Sequence, residues 1–211
     1  MSARGKFITF EGGEGAGKST QARKLKAVLE ARGRDVVLTR EPGGSPGAEE
    51  IRKLLVEGAR ERWTPLAETL LFIAARADHV ARLIEPALRS GQWVISDRFA
   101  DSTYVYQGVA RGLGVDAVRR LHDAAMPALA PDLTLILDLD PAEGLKRASA
   151  RAAGAENRFE KFDADFHQAL RAAFRDIAAQ EPKRCVVIDG ARGADAVADD
   201  VLRSVLERLQ P

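Results

Sequence analysis

Eight consecutive residues of this 211-residue chain, Gly12, Gly13, Glu14, Gly15, Ala16, Gly17, Lys18 and Ser19, have the types and spacing to hold a phosphate chain. They follow the pattern Gly-x4-Gly-Lys-Ser/Thr. Glycines let such a loop turn sharply and aim several backbone N–H groups at one anion. A helix starting at the loop's end adds the positive end of its dipole. Lys18 supplies a mobile positive charge for the outer phosphates, and Ser19 a hydroxyl for Mg²⁺. Thr20 extends the same polar turn. The chemistry is therefore nucleotide binding.

The flanking residues supply the elements this loop requires. Residues 6–10 form a short apolar run that reads as a buried strand, and Ala22, Leu25, Val28 and Leu29 recur at helical spacing behind the loop. Gly33 then reads as a helix cap. Further strands are expected at 36–40, 93–97, 133–138 and 185–189, with helices at 48–56, 65 to about 90, 115–126, 141 to about 153, 162–181 and along the C-terminal residues. Leu66, Leu70, Ile73, Ala77, Val80 and Ile84 make one apolar stripe on the long helix, which Pro86 is placed to kink or end. Residues 101–107 read as a short helix or loop. The Gly- and Pro-rich stretch at 41–47 follows a strand end, where parallel sheets present their binding loops. Asp138 reads as a strand end that caps the connection to the next helix. Strands alternating with helices give an α/β chain, a parallel sheet covered on both faces, in one domain over residues 1–211.

Composition narrows the class. Apolar residues make up 45% and charged residues 30%, ordinary for a globular protein, and the net charge of +1 offers no basic field for nucleic acid. The single cysteine, Cys185, lies in an apolar run and reads as a core thiol. His79, His122 and His167 lack metal-ligand spacing and read as structural or solvated. Neither a signal peptide nor a membrane span is evident, which makes the cytoplasm the expected location.

Several stretches together resemble thymidylate kinase. They are residues 10–20 with the acidic Glu14 inside the loop, Thr39-Arg40-Glu41-Pro42-Gly43-Gly44, Phe72-Ile73-Ala74-Ala75-Arg76, Asp97-Arg98-Phe99, Ser102-Thr103-Tyr104-Val105-Tyr106-Gln107-Gly108 and Gly144-Leu145-Lys146-Arg147-Ala148. The resemblance implies a three-layer nucleoside-monophosphate-kinase fold with a five-stranded parallel sheet and a lid at about 147–160. It implies transfer of the γ-phosphoryl group of ATP to dTMP with Mg²⁺, in a homodimer that engages neither nucleic acid nor membrane. By the same resemblance Phe72 stacks on thymine and Arg76, four residues on, reaches a thymine oxygen. Arg98 binds the dTMP phosphate, for which a guanidinium fork is suited. Thr103 sits near the ring N–H, Tyr106 under the deoxyribose, and Gln107 is a further polar group of the site. Glu14 faces the sugar's 3′-hydroxyl or the metal's water shell. Ser19 and Asp97 are the expected metal residues, Asp97 acting through water.

Phosphoryl transfer needs alignment and charge neutralisation more than acid–base chemistry. Lys18, Arg98 and basic lid residues are expected to supply the positive charge. Arg147 and Arg151 share a helical face, and Arg158 follows the Ala153-Gly154-Ala155 turn. Because the loop carries Glu14 and no arginine, Arg151 and Arg158 are the expected catalytic cations, with Arg147 mattering less. Rival classes fit less well. A nucleotide-switch GTPase would carry an Asn-Lys-x-Asp motif, which this sequence lacks. A P-loop assembly module would not need the acceptor-site residues between Phe72 and Gln107. A kinase for another nucleoside monophosphate or a deoxynucleoside is the nearest enzymatic alternative.

Overall fold

The computed structural model describes residues 4–126, 129–150 and 158–210. Among these, five strands, β1 (Phe7–Glu11), β2 (Val36–Arg40), β3 (Trp93–Asp97), β4 (Leu133–Asp138) and β5 (Cys185–Asp189), form one sheet in the order β2-β3-β1-β4-β5. All its pairings are parallel. The helices are α1 (Lys18–Ala31), α2 (Pro46–Val56), α3 (Pro65–His79), α4 (Glu85–Arg89), α5 (Ala100–Thr103), α6 (Val115–Ala125), α7 (Pro141–Ser149), α8 (Ala164–Gln180) and α9 (Ala194–Leu209).

Burial on both faces explains why the strands read as apolar runs. Side chains alternate across β1: Ile8 and Phe10 pack with Leu25 and Leu29 of α1 and Val197, Val201 and Val205 of α9. Phe7 faces the opposite side, against Ile84, Leu88, Val94 and Phe99. A second cluster on that side joins Tyr106, Ile136 and Cys185 to Phe162, Phe166, Leu170 and Phe174. The result is the three-layer arrangement expected. The Cys185 thiol is buried, and burial pushes its pKa up to about 12, which suits a core residue.

Three departures from the sequence reading have physical causes. The 65–90 helix does not end at Pro86, which lies inside α4. It passes through a π-helical turn at Val80–Ile84, whose wider register ends just before the proline that cannot donate. Residues 104–110 form a second π-helical turn, which gathers Thr103, Tyr106 and Gln107 on the inside. The cap of α7 is Asp140, which accepts from the Ala142 N–H at 3.0 Å, while Asp138 receives Arg171 at 2.7 and 3.0 Å.

The expected apolar stripe on α3 also divides. Ile73, Val80 and Ile84 are buried, but Leu66 and Leu70 are each 47% exposed. Between them Glu68 and Thr69 are fully buried, because Gln107, Arg111 and Arg158 converge on the Glu68 carboxylate from the core side. No helix among the described residues is long and apolar enough to cross a membrane.

Candidate active site

The phosphate loop runs from the end of β1 into α1, at the C-terminal edge of the sheet. Its shape depends on a close approach between two glycines. A Cβ on Gly15, whose φ is +68°, would lie 1.9 Å from the Gly144 carbonyl oxygen, and one on Gly144 would lie 2.3 Å from that of Glu14. Gly13 and Gly17, in contrast, face open space. The loop is pinned from behind by α7 and open on the side where an anion would enter. Lys18 lies along it, donating to the carbonyls of Gly12 at 3.2 Å and Gly13 at 2.7 Å. Burial, then the nearby Arg98 charge, brings its ammonium pKa down to about 8 against the opposing pull of Glu14, Asp97 and Glu11.

Asp97 and Arg98 leave the end of β3 beside this loop. The Ser19 hydroxyl donates to the Asp97 carboxylate, and both line one polar cleft with Lys18, Glu14 and Arg98. Two oxygen donors at the mouth of a phosphate loop suit a hard cation completed by phosphate and water oxygens.

Arg98 is a non-glycine residue in the left-handed region, with φ +73°. That conformation costs about 1–3 kcal/mol and persists only when its surroundings impose it. Here they do. Its N–H donates to the Phe10 carbonyl at 2.9 Å, and its carbonyl accepts from the Ser96 hydroxyl at 2.7 Å. The buried Glu11 carboxylate holds the next turn through the Phe99 N–H (2.8 Å) and the Ser102 hydroxyl (2.6 Å). Burial, with Asp101 nearby, raises the Glu11 pKa to about 7. The Arg98 guanidinium donates to Gly12 O, Ser102 Oγ, Glu14 Oε1 and Tyr106 Oη, each at 3.0 Å, and lies over the Tyr106 ring. Tyr106 Oη also donates to Glu14 at 2.7 Å. Burial opposes ionisation of Glu14, but Arg98, Lys18 and the Tyr106 hydroxyl outweigh it and hold the carboxyl down at about 2.

A cleft opens from this cluster. Phe72, Arg76, Thr103, Tyr106 and Gln107 all line it, with Arg98 and Glu14 at one end. Arg76 is buried. Its Nε donates to Glu41 at 2.7 Å and its Nη2 to Thr103 Oγ1 at 2.9 Å, while its Nη1 has no hydrogen-bond partner. Glu41 is held ionised by Arg76 and His79 despite its burial, and His79 also meets Thr39 at 2.7 Å. His79 is thus structural, as are the buried His122 and His167. Gln107 donates to Glu68 at 2.9 Å.

The structure revises the basic group expected at 147–160. Arg151 lies outside the described residues. Arg158 is not exposed: it is fully buried, paired with Glu68 and donating to the carbonyls of Leu55, Ala59 and Arg60. A side chain so enclosed does not present itself to phosphate. Arg147 donates to the Gly190 carbonyl at 3.1 Å and lines a separate groove with Thr20, Gly190, Arg192 and Val197, on the far side of the loop from Phe72.

Sequence reasoning placed Glu11, Glu41 and Ser102 within its motifs but gave them no role, and it missed Phe159 and the 190–197 side of that groove. Glu11, Glu41 and Gly190 end or follow strands β1, β2 and β5, so their place at the sheet's C-terminal edge was an available signal. Phe159 follows no strand and offered none.

A family model for thymidylate kinase matches residues 10–201. The chain is 56% identical over 209 residues to the thymidylate kinase of Ruegeria pomeroyi, covering 99% of this chain and 98% of the other. It is 52% identical over 206 residues to that of Caulobacter vibrioides, covering 98% of each. The crystal structure of thymidylate kinase from Ehrlichia chaffeensis superimposes with a TM-score of 0.75 at 35% identity, covering 96% of this chain and 99% of that one. With a loop built for a nucleotide's phosphates joined by one arginine to an aromatic, guanidinium-lined cleft, and with these full-length likenesses, the chain belongs to the thymidylate kinase family.

Proposed function

We propose that this protein transfers the γ-phosphoryl group of ATP to the 5′-phosphate of dTMP, giving ADP and dTDP. The observation that carries the reading is the Arg98–Glu14–Tyr106 cluster, which joins the phosphate loop to a cleft lined by Phe72 and Arg76.

ATP lies with its phosphates on the loop, held by the backbone of Gly12–Ser19 and by Lys18, with Ser19 and Asp97 at the Mg²⁺ position. The ion, when bound, neutralises charge on the phosphate oxygens. The groove lined by Thr20, Arg147 and Arg192 takes the rest of the nucleotide. In the acceptor cleft Phe72 stacks on thymine, and Arg76 Nη1 donates to a ring carbonyl, which gives that buried N–H its acceptor. Thr103 and Gln107 complete the polar lining, and the Tyr106 ring sits under the sugar, where a 2′-hydroxyl would collide with it. Arg98 grips the acceptor phosphate by turning to it donors that otherwise serve Gly12 O, Ser102 Oγ and Tyr106 Oη, while keeping its bond to Glu14. The attacking oxygen is already anionic near neutral pH, so neither a general base nor a covalent intermediate is needed. Of the arginines expected to act on the transferred group, we keep Arg151 in that role and, because Arg158 is enclosed and paired with Glu68, give Arg158 a different one.

A coupled ADP-release assay against a panel of nucleosides and nucleoside monophosphates tests the reading. dTMP should lead, with dUMP detectable and UMP poorest of the three, since a methyl pocket is worth only about 1–3 kcal/mol. Equal kcat/KM for UMP and dTMP would remove both the deoxynucleotide assignment and the role given to Tyr106. We place the protein in the cytoplasm as a homodimer, and the exposed Leu66 and Leu70 on α3 support association through that helix. Leu70→Glu should shift the sedimentation coefficient from dimer to monomer, and a wild-type monomer would refute this.

A further inference from the structure

We infer that the buried Glu68–Arg158 pair is a positioning device that fixes Phe159 as a wall of the acceptor cleft. The inference rests on the reading of that cleft as the dTMP site. Both side chains are fully buried, so neither can touch a substrate in this arrangement. All three guanidinium nitrogens of Arg158 are engaged. Nε donates to Ala59 O at 3.0 Å, Nη1 to Leu55 O at 3.1 Å and Nη2 to Arg60 O at 2.8 Å, while Nη2 also meets the Glu68 carboxylate. The Arg158 backbone N–H adds a bond to Val56 O at 3.3 Å. One side chain therefore ties α3, the end of α2 and the loop after it to the residue that precedes Phe159.

The tied helices α2 and α3 both contribute to the cleft. Val56 ends α2, Phe72 lies one helical turn beyond Glu68 on α3, and Gln107 donates to the same Glu68 carboxylate. The Phe159 ring lies 5.6 Å from that of Tyr106 and 6.1 Å from that of Phe72, and the Arg158 guanidinium covers it at 5.1 Å. Charge accounts for the burial. The one carboxylate of Glu68 faces Arg158 and Arg111, the latter at 3.5 Å, and Gln107 adds a neutral donor. A carboxylate so placed holds the arginine where an apolar side chain would not. Arg158 reaching for a transferred phosphoryl group would have to abandon Glu68 and three carbonyls together.

An arginine acting in the transition state and an arginine that shapes the acceptor cleft leave different kinetic signatures. Loss of the first lowers kcat, and loss of the second raises the KM of the substrate whose pocket is deformed. The experiment is steady-state kinetics on Arg158→Lys, Glu68→Gln, Phe159→Ala and the Arg158→Lys/Phe159→Ala double variant, with thermal melts to confirm folding at the assay temperature. Each single change should raise the KM for dTMP roughly tenfold, with the KM for ATP and kcat altered no more than about threefold. The double variant should be no worse than Phe159→Ala alone, because the arginine acts through that ring. A fall in kcat with the dTMP KM intact would overturn the proposal, as would independent, multiplying effects in the double variant. Glu68→Gln, which keeps side-chain volume and an acceptor, carries the test if Arg158→Lys does not fold. If Phe159→Ala leaves the dTMP KM unchanged, the cleft assignment itself fails. If Phe159→Ala raises it and Arg158→Lys and Glu68→Gln do not, only the anchoring role fails.

Discussion

Glu14 and Arg98 meet at 3.0 Å, so a carboxylate inside the phosphate loop holds the arginine that faces the acceptor cleft. That contact joins the two halves of the site. Tyr106 bridges the same pair, donating to Glu14 and accepting from Arg98. Arg98→Lys keeps one positive charge but offers a single ammonium in place of a fork that serves four acceptors. It should lower kcat/KM for dTMP by about two orders of magnitude, on the scale of a lost charged hydrogen-bond pair. Steady-state kinetics with dTMP varied checks this, and a loss below about threefold would mean the arginine does not grip the acceptor.

Lys18 has an ammonium pKa brought down to about 8 by burial and by Arg98. A bound triphosphate restores the charged form, so nucleotide binding takes up protons wherever the free protein has lost them. At pH 8 about half a proton should be taken up per ATP, at pH 6 almost none, and at pH 9.5 nearly a full one. Calorimetry in buffers of different ionisation enthalpy measures this directly. Uptake that persists in Lys18→Ala would assign the proton elsewhere.

Gly144 lies in α7, where alanine is ordinarily the better helix former by about 0.5–1 kcal/mol. Local propensity therefore favours Gly144→Ala. The contact opposes it, because the new Cβ would sit 2.3 Å from the Glu14 carbonyl oxygen. The substitution should destabilise the fold by about 1–3 kcal/mol, as overpacking does. Because it displaces the loop, ATP affinity should fall at least about tenfold, in line with a lost phosphate contact. A variant with raised melting temperature and unchanged ATP binding would show that the loop yields freely.

Arg151 carries the remaining expectation for a cation on the transferred group. Arg151→Ala should lower kcat at saturating ATP and dTMP by at least about tenfold, with dTMP affinity little changed; arginine fingers in related reactions are worth more than this. Normal turnover by that variant would place the neutralising charge on Lys18, Arg98 and the metal alone.

The sequence made the phosphate loop, the strands at 36–40, 93–97, 133–138 and 185–189, and the five cleft residues from Phe72 to Gln107 legible, because each rests on local pattern or on a contiguous motif. What stayed hidden depends on segments brought together from a distance. The Arg158–Glu68 pair spans 90 positions, and an arginine after an Ala-Gly-Ala turn looks solvated until the acid that buries it is known. Leu66 and Leu70 looked like core for the converse reason. Periodicity marks a stripe on α3, but the buried Glu68 turns the first part of that helix with its charged side inward. Arg98's left-handed backbone was equally invisible, since nothing in Asp-Arg-Phe demands it.

If Arg76 meets the base as proposed, its unpartnered Nη1 sets which errors this enzyme makes. A buried N–H with no acceptor discriminates among pyrimidines by polarity rather than by shape. With the 4-position of the ring turned toward it, thymine and uracil would bring a carbonyl oxygen, whereas cytosine would bring an amino group, so two donors would confront each other without water. Leaving such a pair unmet is penalised far more heavily than an empty methyl pocket, about 10⁴-fold or more against some 10- to 200-fold. On that pose the uracil nucleotide is the contaminant expected to pass this step, and the cytosine nucleotide is the one expected to be refused. Fidelity against uracil has to be kept by whatever sets the supply of its monophosphate.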